Sequence, residues 1–113
     1  MRTRAELLVS LVEASDRVSR IVSDLNKFPW DSPVALLTLT RSDVARILGR
    51  YEEGRLTADE VEAWANAIEG REDIAYEINH EEVLAEIIHQ LANPLITVPL
   101  TPSSAHAMME RIG

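Results

Sequence analysis

Residues 39–70, LTRSDVARILGRYEEGRLTADEVEAWANAIEG, constrain the fold of this chain more than any other stretch. Thr40 is placed to N-cap a first helix, and Asp43, three residues on, puts a carboxylate near the helix N-terminus, where it is favoured. Val44, Ile47, Leu48 and Tyr51 then follow at i, i+3, i+4 and i+7, one apolar stripe. Gly54 suits the left-handed residue that ends a helix, and Thr57 with Glu60 spells a capping box for the next. Val61, Trp64, Ala65 and Ile68 repeat the stripe, and Gly70 closes it. Two apolar stripes joined by so short a turn predict an antiparallel helical hairpin over 40–70.

The flanking segments extend this to an all-α domain. From residue 2 to 28 no Gly or Pro interrupts the chain. Leu7, Leu11, Ala14, Val18, Ile21, Leu25 and Phe28 alternate spacings of four and three, a heptad pattern. The spacing predicts one long helix over 1–28 with a dimerisation seam at Leu7, Leu11, Ala14, Val18, Ile21 and Leu25. Leu8, Val12 and Val22 remain for the protomer's own core. Two further helices are expected within 79–113. The first is capped by Asn79 and Glu82 and stopped before Pro94. The second opens with Thr101 and Pro102. The expectation is therefore a single domain, 1–113, forming a five-helix bundle around the central hairpin. Three apolar segments, 34–39, 74–78 and 95–98, either pair as a small sheet or run as irregular connections. Trp30 is expected to anchor the first of them.

The charge is uneven in a way that bears on partners. Residues 52–82 hold eleven acids against Arg55 and Arg71, a net of −9, while the whole chain carries −8. An acidic patch of this kind repels nucleic acid and steers basic partners, unless it serves only as a solvated face. The candidate partner-binding residues are Asp59, Glu60, Glu62, Glu69, Glu72 and Asp73. The segment 39–49 resembles the first helix of a helix-turn-helix reader. The helix after it, however, carries Asp59, Glu60, Glu62 and Glu69 with no Lys or Arg to meet phosphate. Arg41, Arg46 and Arg50 are expected to pair with neighbouring carboxylates.

Catalytic and metal chemistry find little support. There is no cysteine, hence no disulfide, thiolate ligand or Cys nucleophile. The turn GRYEEGRLTADE has the Gly and final Glu of a calcium loop, but Gly49 and Tyr51 stand where the first two carboxylates belong. Glu86-x-x-His89 has the spacing of one arm of a di-iron site, yet no second copy exists, and a solvated Glu86–His89 ion pair is expected instead. His80, His89 and His106 lie in no nucleophile motif, and no Gly-rich phosphate loop is present. We expect no metal site, no cofactor and no enzymatic activity. No apolar run nears the roughly 20 residues of a bilayer span, and the N-terminus lacks a signal-peptide pattern, so the expectation is a soluble cytoplasmic protein.

The segment Tyr51-Glu52-Glu53-Gly54-Arg55-Leu56-Thr57-Ala58-Asp59-Glu60, with Trp64, resembles the helical hairpin of colicin-D-type immunity proteins, small acidic bacterial proteins. The resemblance spans about a third of the chain and carries over no residue roles. It implies a non-enzymatic partner of immunity or antitoxin type that binds and blocks a basic nuclease toxin. A structural or regulatory homodimer is the alternative reading, and a metal-dependent enzyme resting on Glu86 and His89 is the third.

Overall fold

A computed structural model describes residues 3–14, 17–27, 35–71 and 73–112. Among them the chain forms six helices and one two-stranded parallel sheet. In order these are α1 (Arg4–Glu13), α2 (Val18–Leu25), β1 (Leu37–Leu39), α3 (Arg41–Glu52), α4 (Ala58–Ile68), β2 (Ile74–Tyr76), α5 (Glu81–Ala92) and α6 (Pro102–Ile112).

The sixth helix arises because the expected 1–28 helix is broken. Thr3 and Glu6 form a reciprocal capping box that starts α1, but Ala14 takes φ 51° and ψ 44°, the left-handed conformation, and ends it. The physical reason is burial. A straight helix of that length would run ~40 Å at 1.5 Å per residue, as long as the longest extent of the whole domain, 39 Å. Doubling back lets Leu7, Leu8, Leu11 and Val12 of α1 and Ile21 and Leu25 of α2 enter one core.

The predicted caps of the hairpin are present. Thr40 and Asp43 form a capping box, as do Thr57 and Glu60, and Gly54 sits at φ 80° between α3 and α4. Thr101 and Ser104 exchange backbone and hydroxyl bonds of 2.9 and 3.1 Å at the start of α6. The cap expected from Asn79 and Glu82 is not made. Asn79 lies at φ 73°, whereas an N-cap needs extended geometry, and His80 precedes α5 without a side-chain cap.

Packing shifts the centre from the hairpin to α4. This helix touches α1, α2, α3 and α5, and its most extensive partner is α5, while α3 packs chiefly on α6. Val61, Trp64, Ala65, Ala67 and Ile68 supply its buried side. Of the three apolar segments, two pair. Leu37 lies opposite Ile74, Thr38 opposite Ala75 and Leu39 opposite Tyr76, with flanking bonds from the Leu36 N–H to the Asp73 carbonyl (2.8 Å) and the Glu77 N–H to the Leu39 carbonyl (2.9 Å). The third stays out: residues 95–98 follow a turn held by the Asn93 carbonyl, and Leu95 is 99% exposed. Trp30, the expected anchor, lies outside the described residues.

Candidate acidic groove

The amphipathic pattern of α4 decides what it offers to solvent. With Val61, Trp64, Ala65 and Ile68 turned inward, Asp59, Glu60 and Ala63 are left exposed and Glu62 half-buried. The Glu60 carboxylate accepts from the Thr57 N–H at 3.0 Å and is committed to the cap. Asp59 and Glu62 make no side-chain hydrogen bond or ion pair among the described residues.

Beside this face lies an open groove with a cavity volume of about 650 Å³. Ala14, the left-handed residue that ends α1, lines it together with Arg17, Val18 and Ser19 at the start of α2. Val18, Leu56, Ala63 and Trp64 give it an apolar lining, to which Asp59, Glu60 and Arg17 add charge of both signs. Trp64 is fixed in place: its indole N–H donates to the Leu11 carbonyl at 2.9 Å, buried between α4 and the last turn of α1.

The other expected partner-binding acids are placed differently. Asp73 is fully buried and accepts from Arg71 at 2.9 and 3.0 Å and from Arg4 at 2.8 Å. Burial pushes its carboxyl up, but the guanidinium bonds and charges of Arg71 and Arg4 outweigh this and hold it below the usual carboxylate range. It is a structural ion-pair centre rather than a surface contact. Glu69 is half-buried, its Oε2 lying 2.6 Å from His89 Nδ1 and its Oε1 3.3 Å from the Asn93 amide nitrogen. Burial, and secondarily the charge of Glu69, raise the Tyr76 hydroxyl above its ordinary value. Glu72 lies outside the described residues.

Glu86 does not pair with His89. It meets Arg111 of α6 at 2.8 Å, while His89 turns to Glu69 on α4. An ionised carboxylate only accepts, so a hydrogen bond between the two has His89 Nδ1 donating. In the turn reminiscent of a calcium loop, Glu53 pairs with Arg55 at 3.2 Å and Glu60 serves the α4 cap. No group of three or more His, Asp or Glu among the described residues is arranged to hold a metal ion. Of the three arginines of α3, Arg41 meets Glu77 at 3.1 Å and Arg46 meets Asp43 at 2.8 Å. Arg50 instead donates to the Glu13 carbonyl at 2.7 Å, at the C-terminus of α1. The Arg41 backbone N–H, and then its guanidinium, hold the Glu77 carboxyl below its ordinary value.

The expected seam residues are spent on the protomer. Leu7, Leu11, Ile21 and Leu25 are at most 2% exposed within the single chain, and Ala14 and Val18 pack partly against the same core. The heptad-derived seam is thus corrected: its strongest apolar residues face inward because the broken helix folds them there. What the surface offers instead is a tip between α5 and α6, where Leu95 and Ile96 are 99% and 76% exposed. No helix among the described residues is long and apolar enough to cross a membrane.

Sequence reasoning found Asp59, Glu60 and Glu62 through the charge run, and missed the groove beside them. Ala14 itself carries no turn signal, and the Ser15–Asp16 pair after it is a weak one inside an unbroken heptad pattern. Comparisons of the chain with protein-family models, with curated proteins and with solved structures found no match.

Proposed function

We propose that this chain is a non-enzymatic protein-binding module that meets a basic protein through the exposed face of α4. An immunity or antitoxin role, as the resemblance implies, would be one form of this function. The observation that carries the reading is the pair Asp59 and Glu62, one turn apart on α4 and uncommitted to any intramolecular partner. Carboxylates at a helix start are favoured by the helix dipole alone. Glu62 lies beyond the first turn, and that field does not explain it. Unpaired acids of this kind speed encounter with a basic surface and fix its register more than they add affinity.

The test is affinity capture from the native cell extract with the parent chain and with Asp59→Lys/Glu62→Lys as baits. A basic protein should be enriched on the parent, lost on the double variant and weakened by added salt. Equal enrichment on both baits, or a partner that is itself acidic, would end the reading.

A structural or regulatory homodimer remains the second reading, and the exposed Leu95 and Ile96 favour it. Sedimentation of the parent against Leu95→Ser/Ile96→Ser decides this: a parent monomer at working concentration removes it.

A further inference from the structure

The groove at the α1–α2 corner is more specific than an acidic face requires. We propose that it seats a long cationic side chain, an arginine before a lysine, projecting from an apolar segment of the protein partner. The inference rests on the reading of α4 as the contact for a basic protein and names how that contact is anchored.

Three features point to this occupant. The lining is apolar and partly aromatic, with Val18, Leu56, Ala63 and Trp64 placed to cover the methylene stem of such a side chain. Asp59 lines the groove with both carboxylate oxygens uncommitted, which suits the planar fork of a guanidinium better than an ammonium. Arg17, also in the lining, is already engaged within the chain, which lessens its repulsion of an incoming cation.

Size and charge exclude simpler occupants. A volume of about 650 Å³ exceeds what one side chain fills, leaving room for an apolar neighbour on the same segment. It falls within the roughly 300–1,000 Å³ of specific binding clefts. An anion would meet Asp59 and Glu60 against Arg17 alone among the described lining residues.

The probes are blocked Leu-Arg-Leu and Leu-Gln-Leu peptides, titrated into the full chain and followed by ¹H–¹⁵N correlation spectra. Leu-Arg-Leu should shift the Trp64 indole N–H and the Val18 and Ala63 amides saturably. Leu-Gln-Leu should bind about tenfold more weakly, the loss of one desolvated charge contact. Ala63→Arg places a cation one turn from Asp59 at an exposed position, plugging the seat while keeping both Asp59 and Glu62. It should abolish the shifts, and Val18→Asn on the opposite wall should weaken them. Absence of a saturable shift with Leu-Arg-Leu, or undiminished binding to Ala63→Arg, overturns the seat. Capture of the basic protein that survives Ala63→Arg but not Asp59→Lys/Glu62→Lys also overturns the seat, and leaves the acidic face standing. Loss of capture on both variants supports it.

Discussion

The Leu11 carbonyl accepts from the Trp64 indole N–H at 2.9 Å and from the Ala14 N–H at 3.1 Å. One oxygen therefore holds both the corner that ends α1 and the helix that packs across it. Two residues that line the groove, Ala14 and Trp64, are thus tied to the same atom.

Removing the indole donor tests this coupling. Trp64→Phe keeps an aromatic ring but loses the bond and part of the buried indole volume, and should cost about 2–4 kcal/mol in urea denaturation. The Ala14 and Arg17 amide resonances should move with it. A midpoint unchanged from the parent would show that the bond contributes nothing net.

The corner itself carries backbone strain, since Ala14 holds φ 51° with a Cβ. Ala14→Gly should raise stability by about 0.5–1 kcal/mol. Ala14→Val should lower it by more, because a β-branched side chain tolerates that conformation worse. If Ala14→Gly melts below the parent, the left-handed assignment is wrong.

Two glycines near one helix end should respond with opposite signs. Gly54 lies at φ 80° with open space around an added Cβ, so Gly54→Ala should cost about 1 kcal/mol through backbone strain alone. Gly49 sits inside α3, where an added Cβ would meet only Met109 Cε at an ordinary 3.9 Å. Gly49→Ala should therefore stabilise by about 0.5–1 kcal/mol. Thermal melts of the two single variants settle both signs.

Asp73 sets an acid limit on stability. Its folded-state pKa lies below the ordinary value, so the folded state favours the ionised form. The resulting stabilisation is complete above the unfolded-state pKa of about 3.9 and is lost as pH falls through the folded value. Urea midpoints should thus be insensitive to this group near neutrality and decline below about pH 4. Asp73→Asn should flatten that decline. Asp73→Ala, which breaks a buried pair, should cost about 3 kcal/mol at neutral pH. An acid limb of the same steepness in Asp73→Asn would assign it to other carboxylates.

What the sequence made legible was local. Thr40 with Asp43 and Thr57 with Glu60 act within three residues, so the caps and the two helices they start could be read directly. The segment 74–78 stood out as apolar, but neither its strand state nor its pairing with Leu37–Leu39 could be chosen from the sequence. The rest depends on distant residues. Asp73 looks like one more surface acid until Arg4, remote in sequence, folds against it. The heptads ran through Ala14 without a break, and only competition for the core decides that α1 and α2 fold back. The acids of the groove were therefore visible and the groove was not.

The parallel pairing of β1 with β2 also dictates an order of assembly. Leu37 can find Ile74 only after the intervening chain has been drawn in, and three paired residues return little for that loop closure. α3 and α4, which form from near neighbours, must bring the strand ends together first. We therefore expect the ladder to form as a late fastening rather than as a nucleus. Its amides should exchange with solvent through partial openings that leave Val44 and Ile87 protected.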